Sequence, residues 1–331
     1  MEPNCSLPAP FFYTTLMHSF HLVSYPIYFL TLLILIRDSS KIFKTYKYYI
    51  IFHVIMNMAS ETYVSFFMLP LTYLPLPMYR TTGWLAHLGF SGLIQFYILS
   101  ILIDTTVGSI CEMFYFRFKV SMIHQEAKIY SKILKYLLNI RRFSNVAVIF
   151  VEVFTFSDRI ADQTRTIASL RERFPEMPPE IACYSCVYAV GKNVPFRIMV
   201  SFWTTNTIVS FGSSTIVIFY VKKFLKKTGI ALSAETTKLQ RMLLMSLFIQ
   251  SAIHSTLIGI PLFFQLFGMF VKMTDNDFVL ILLLFVGYHG FASTCAMIYF
   301  TKPVREKMFP CLKRASQTTP ARLSYLNSTT T

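Results

Sequence analysis

Charged side chains are scarce in this sequence: Asp, Glu, Lys and Arg together make 14% of its 331 residues, and only 16 of them are acidic. A soluble globular domain carries about one quarter charged residues, so the composition excludes that class before any motif is read. The signatures of chemistry are missing too. No His-Glu-x-x-His occurs, Cys183-x-x-Cys186 has no second ligand pair nearby, and there is no Gly-x-Ser-x-Gly elbow and no phosphate-binding loop. An intramembrane enzyme is therefore not expected, and neither is a cofactor or a metal. There is no internal repeat and no matched pair of interrupted helices, which argues against a transporter. No Lys or Arg precedes Thr14, so the basic head of a secretory signal is lacking and the first apolar run acts as its own insertion signal.

What the chain has instead is apolar length. Hydrophobic residues make 54% of it, with 33 Phe and 19 Tyr, and its mean hydropathy is +0.51. A helix needs roughly 20 predominantly apolar residues to cross a bilayer. Runs at 14–36, 198–221, 242–271 and 278–301 meet that length without a charge, while 48–69 carries Glu61 and 87–111 carries Asp104. The seventh, 143–157, holds Glu152 and is short. It spans only if residues 136–142 continue the helix, with Arg141 and Arg142 snorkelling to the interface. The expected fold is all-α, a seven-transmembrane helix bundle embedded in a lipid bilayer.

The net charge of +15 would suggest nucleic acid in a soluble chain. Here the basic residues border the apolar runs, so no nucleic-acid face forms. Most of the 31 Lys and Arg sit in alternate loops: 37–47, 117–142, 222–241 and the tail 302–331. The positive-inside rule then puts residues 1–13 outside and the tail in the cytosol. Cys5, Cys183 and Cys186 fall on the outer side, where disulfides persist. Cys5 is expected to pair with Cys183 or Cys186. Asn4-Cys5-Ser6 is an outward glycosylation sequon, and Cys311 suits palmitoylation or remains a plain thiol.

Ionisable groups inside spans are costly and face the bundle interior or water. Asp104 and His289 are counted to similar depths and are expected to meet, either as a switch between two packings or as a structural bond. Glu61 reaches toward the outer half, where it touches a ligand or a neighbouring helix. The fifth span is rich in hydroxyls. Asn206, Ser210 and Ser213 share a face at helical spacing, and the outermost, Ser201, Thr204 and Thr205, are candidates for a pocket, together with Gln95 in the third span. Pro261 frees the Leu257 carbonyl and bends the sixth span.

At the exit of the last span the chain reads Tyr288-His289-Gly290-Phe291-Ala292-Ser293-Thr294, closed by Lys302-Pro303-Val304-Arg305. Thr236-Thr237-Lys238-Leu239-Gln240-Arg241 leads into the sixth span, and Arg117 ends the third. These segments resemble the nematode serpentine chemoreceptors of class H, or the related class I, of the Str superfamily, over almost the whole length. Val304 replaces the usual tyrosine, and Glu176 follows Pro175 where the family has a cysteine. Cys183 then stands in as the partner of Cys5. The resemblance implies a G-protein-coupled receptor of sensory-neuron cilia at the plasma membrane. It would detect a small external chemical and signal to a heterotrimeric G protein. Arg117, Lys222, Lys223, Lys226, Lys227 and Arg305 are the expected contacts of that G protein, the basic cluster being equally suited to anionic inner-leaflet lipid. A ligand-gated channel or transporter subunit is the alternative.

Overall fold

Lipid offers backbone amides no partner, so an apolar run must satisfy its own hydrogen bonds as a helix. Gly92–Ser121, with Asp104 and Glu112 as its two acids, does so as the 30-residue helix α5. The computed structural model describes residues 8–37, 45–74, 76, 78–121, 128–173, 179–188, 194–227, 234–271, 273 and 275–309. Asn4, Cys5 and Cys311 lie outside these, as do the side chains of Lys222, Lys223, Lys226 and Lys227.

Seven passes make the bundle. The first is α1 (Phe11–Ser19) followed by α2 (His21–Arg37), and the second is α3 (Tyr46–Thr62), ending in a π-helical turn at Tyr63–Met68. After α5 come α6 (Lys128–Phe154), α8 (Val194–Lys227), α9 (Ala234–Phe270) and α10 (Asn276–Phe300). The short helices α4 (Trp84–His87) and α11 (Lys302–Met308) and the 18-residue polar helix α7 (Phe156–Arg173) lie at the ends. Among the described residues, five helical stretches are long and apolar enough by themselves to cross a bilayer: Phe11–Arg37, Tyr46–Met68, Gly92–Val120, Arg241–Pro261 and Asn276–Phe300. α6 carries two arginines and a glutamate, and the middle of α8 is hydroxyl-rich; both are held by packing with their neighbours in the bundle. Large apolar side chains such as Phe154, Phe219 and Leu22 point outward, 77%, 71% and 79% exposed, as a surface solvated by lipid tails requires.

Several helices outrun their apolar runs. α6 begins well before Phe143, so the fourth apolar run is the end of a 27-residue helix. The first apolar run is two helices: at Phe20 the carbonyl accepts from both Val23 and Ser24 at 3.0 Å.

One end of the bundle is capped by an antiparallel sheet that apolar-run analysis does not anticipate. β1 (Pro70–Thr72), β2 (Met78–Thr81) and β3 (Cys186–Tyr188) lie in that order, with Leu71 opposite Arg80 and Arg80 opposite Cys186. The chain enters β1 through Leu69, a buried non-glycine residue at φ 42°. That left-handed turn is costly for a branched side chain. It is pinned by Thr82, whose Oγ1 donates to the Leu69 carbonyl at 2.9 Å. Gly83 makes the same corner possible, because a Cβ there would stand 2.5 Å from the Phe67 carbonyl oxygen. Cys183, just before β3, is disulfide-bonded. Cys186 is a free thiol that donates to the Glu180 carbonyl at 3.2 Å, and burial pushes it up to about 12. At neutral pH it is therefore an unreactive thiol.

Apolar packing concentrates at the two ends. Away from the sheet, Tyr28, Ile50, Phe114, Phe118, Leu243 and Met297 form the larger cluster. Beneath the sheet, Tyr13, Met17, Val64 and Leu284 form a smaller one. Between them the bundle is polar or open.

Candidate binding cavity and the polar groups around it

A cavity of about 360 Å³ opens among the second, third, fifth, sixth and seventh passes on the sheet side. Its walls are mostly apolar, including Val64, Phe96, Leu99, Ile103, Leu283 and Val286, and Pro70 and Tyr79 of the sheet close one side. The polar minority on its walls includes Asp104 from α5, Asn206 and Ser210 from α8, and Ser251, His254 and Ser255 from α9. Apolar walls with a few placed polar groups are the usual make-up of a small-molecule site. Pro261 also lines it.

Asp104 is held on both carboxylate oxygens. Arg141 of α6 donates through Nη2 to Oδ1 at 3.1 Å and to the Asp104 main-chain oxygen, and through Nε to Ser210 Oγ at 2.9 Å. Asn206 donates from Nδ2 to Asp104 Oδ2 at 3.1 Å and to Asn145 Oδ1 at 2.6 Å. Gly108 sits where any side chain would collide with the guanidinium of Arg141. Two sequence-based expectations are corrected here. Arg141 does not snorkel: it is 4% exposed and points inward, because an acid one helix away offers a better partner than the interface. Nor does Asp104 meet His289, since it faces α6 and α8 while His289 faces α9.

Arg142, the neighbour of Arg141, does turn outward and forms a fork with Glu112, at 2.8 Å and 2.9 Å. Successive residues on a helix point about 100° apart, so one arginine of the pair is committed inward and the other to the surface.

Glu61 is buried away from the cavity at 1% exposure. Tyr28 donates to its Oε2 at 2.7 Å, and His21 Nδ1 lies 3.6 Å from Oε1. It binds neighbouring helix α2, and its expected ligand contact is withdrawn. Gln95 is also sealed: it is fully buried and donates to the Phe90 carbonyl at 3.0 Å. Ser201, Thr204 and Thr205 are exposed on the outside of α8, with Thr205 donating back to the Ser201 carbonyl at 2.8 Å. They miss the cavity because the buried face of α8 is the one that carries Asn206, Ser210, Ser213 and Ser214.

Histidines make the centre of the bundle polar. His53 Nδ1 lies 2.6 Å from Ser109 Oγ, and its Nε2 lies 3.2 Å from Ser293 Oγ. Asn57 donates to Thr294 Oγ1 at 3.2 Å and to His53 Nε2 at 3.2 Å, while its Oδ1 lies 3.4 Å from His254 Nε2. His289 packs edge-on against His254 at 5.1 Å and bonds the Val286 carbonyl through Nδ1 at 2.6 Å. His254 Nδ1 contacts the Gln250 carbonyl at 2.9 Å; Gln250 donates to Ser246, which lies 3.4 Å from Thr301 at the start of α11. A chain of contacts thus runs from a cavity-lining histidine to the far end of the bundle. Gly290 permits it: a Cβ there would come within 2.8 Å of the Asn57 carbonyl oxygen. Sequence reading found His289 but missed Arg141, His53, Asn57 and His254 as members of sites. The available signal was the i,i+4 spacing of His53 with Asn57 and of Gln250 with His254.

At the other end, Arg117 is 5% exposed with its guanidinium 3.5 Å from the centre of the Tyr46 ring. The expectation that it faces a cytosolic partner is corrected for this conformation, in which the start of α3 covers it. Arg305 of α11 donates to the Tyr299 carbonyl at 2.6 Å and remains partly accessible. Among the described residues no group of His, Cys, Asp and Glu is placed to hold a metal ion.

A family model described as "Serpentine type 7TM GPCR chemoreceptor Srh" matches residues 8–314. No curated protein and no solved structure matches the chain.

Proposed function

The chain belongs to the Srh family of serpentine seven-transmembrane chemoreceptors, and from that membership we propose that it is a plasma-membrane chemosensory receptor whose small external ligand occupies the five-pass cavity. A heterotrimeric G protein reads the result at the opposite end, and sensory cilia are its site of action. The amino terminus faces outside. Support for that orientation comes from the Lys and Arg in alternate loops and from the disulfide of Cys183 at the sheet end, where an oxidising compartment preserves it. On the outer side Asn4 is the glycan acceptor and Cys5 the disulfide partner, and on the inner side Cys311 carries the palmitoyl chain.

The observation that carries the reading is the position of His254. It lines the cavity and is also the first link of the chain through Gln250 and Ser246 to Thr301. A ligand shifts an equilibrium only by its difference in affinity for the two states. One that prefers a different placement of α9, already weakened at Pro261, acts on both ends of that chain. Coupling of about 1–3 kcal/mol suffices for regulation. In the active arrangement the inner end of α9 moves, Arg117 leaves Tyr46, and the G protein meets Arg117, Arg305 and the lysines from Lys222 to Lys227.

The test is nucleotide exchange on a G protein, driven by a panel of volatile and water-soluble compounds on membranes bearing the chain. Leu283→Trp fills the cavity and should abolish every response while cell-surface delivery stays normal. A full response from that variant would refute the cavity as the ligand site.

A further inference from the structure

We propose that the cavity selects uncharged, largely apolar molecules that donate a single hydrogen bond, a compact aliphatic alcohol being the representative. This rests on the reading of the cavity as the ligand site and goes further by naming the chemistry that fits it.

Size comes first. At about 30 Å³ for each water-sized group, a cavity of about 360 Å³ holds roughly a dozen non-hydrogen atoms. Charge comes second. Asp104 is the sole Asp, Glu, Lys or Arg among the lining residues, which at first sight suggests an ammonium ligand. Its charge is already compensated, however: Arg141 holds Oδ1 at 3.1 Å and Asn206 holds Oδ2 at 3.1 Å. An entering ammonium group would meet a carboxylate whose charge a buried guanidinium already balances, and an entering carboxylate would face Asp104. A charged ligand therefore loses its hydration without gaining a free counter-charge. His254, the other ionisable ring on the wall, has Nδ1 2.9 Å from the Gln250 carbonyl and Nε2 3.4 Å from Asn57 Oδ1, so both nitrogens face neutral acceptors and neither faces a counter-charge.

Polarity comes third. Asn206 spends Nδ2 on Asp104 and Asn145, whereas its Oδ1 is buried and has no hydrogen-bond partner among the described residues. Asn206 lines the cavity and is 2% exposed. A buried acceptor left unpaired is unfavourable, and a hydroxyl from the ligand satisfies it. A ketone or ether of the same shape does not.

Borneol, camphor and bornylammonium share one bicyclic skeleton and serve as probes for donor, acceptor and cation. Their binding is measured directly, by ligand-dependent thermal stabilisation of the full chain in lipid nanodiscs without a G protein. Borneol should bind about five- to tenfold more tightly than camphor, the worth of one hydrogen bond, and bornylammonium should not bind measurably. Asn206→Leu should bring borneol down to the level of camphor. Arg141→Met leaves Asp104 uncompensated and should admit bornylammonium. If that variant fails to fold, Asn206→Leu alone decides, through the loss of the preference for borneol over camphor. Tightest binding by bornylammonium, an unchanged borneol preference in Asn206→Leu, or no binding by any of the three would overturn the proposal. Borneol binding with no nucleotide exchange would leave the ligand chemistry standing and remove the receptor reading instead.

Discussion

Asp104 and Glu61 are both carboxylates inside the bundle, and they are held in contrasting ways. Asp104 meets a full positive charge, Arg141 at 3.1 Å, and keeps 22% of its side chain accessible on the cavity side. Glu61 meets a tyrosine hydroxyl at 2.7 Å and a histidine at 3.6 Å, and only 1% of it is accessible. The surroundings differ accordingly. Around Glu61 the helices close up, with Gly290 letting α10 come against α3 and Tyr28. Around Asp104 they stand apart and leave the cavity. The contrast teaches that an acid in a span does not by itself mark a ligand site. What marks one is a polar group whose partners lie behind it while apolar space lies in front.

The sharpest way to break this comparison is to remove the arginine. Arg141→Ala strands a buried carboxylate and should cost about 3–5 kcal/mol, read as thermal unfolding of the purified chain. Pairing it with Asp104→Leu should recover most of the loss. If the double variant is no better than the single one, the two side chains do not act as a pair. Next in size is Tyr28→Phe, which takes away a hydrogen bond to an acid and should destabilise by about 1.5–3 kcal/mol. Probe binding in the cavity should stay unchanged, and a change there would mean that the Glu61 region is coupled to the cavity after all. The smallest effects sharpen the packing difference. Gly290→Ala forces a methyl group against the Asn57 backbone and should cost about 1–3 kcal/mol. At Gly259, which lines the cavity, an added Cβ meets nothing within 4 Å. Gly259→Ala should therefore be neutral or stabilise by up to about 1 kcal/mol through helix propensity. Equal losses from both substitutions would erase the distinction between a closed side and an open one.

Much of the scaffold was legible in the chain because crossing a lipid core imposes a length and a composition. Gly92–Ser121 and Asn276–Phe300 could hardly be anything but spanning helices. α6 was harder to see, since the arginines that obscure its apolar run find their main partners in other passes: Arg141 in Asp104 and Ser210, Arg142 in Glu112. The hydroxyl-rich α8 gave the right buried face through the spacing of Asn206, Ser210 and Ser213, but the wrong pocket residues. Ser201, Thr204 and Thr205 are just as polar, and helical spacing alone cannot say which face turns inward near the end of a span. The strands at 70–72 and 78–81 pair locally, but the third at 186–188 joins a partner more than a hundred residues back, a pairing that no local pattern announces.

What the sequence determined by itself was the solvent of this protein and its family: twenty-residue apolar runs have no stable place outside lipid, and the motifs near His289 and Arg117 are local strings. What only the tertiary structure decided was partnership. Whether Asp104 would face His289 or Arg141 depended on how neighbouring helices are rotated about their axes. A rotation of half a turn exchanges every partner and leaves local helix geometry unchanged, so it is fixed only when all the helices pack together.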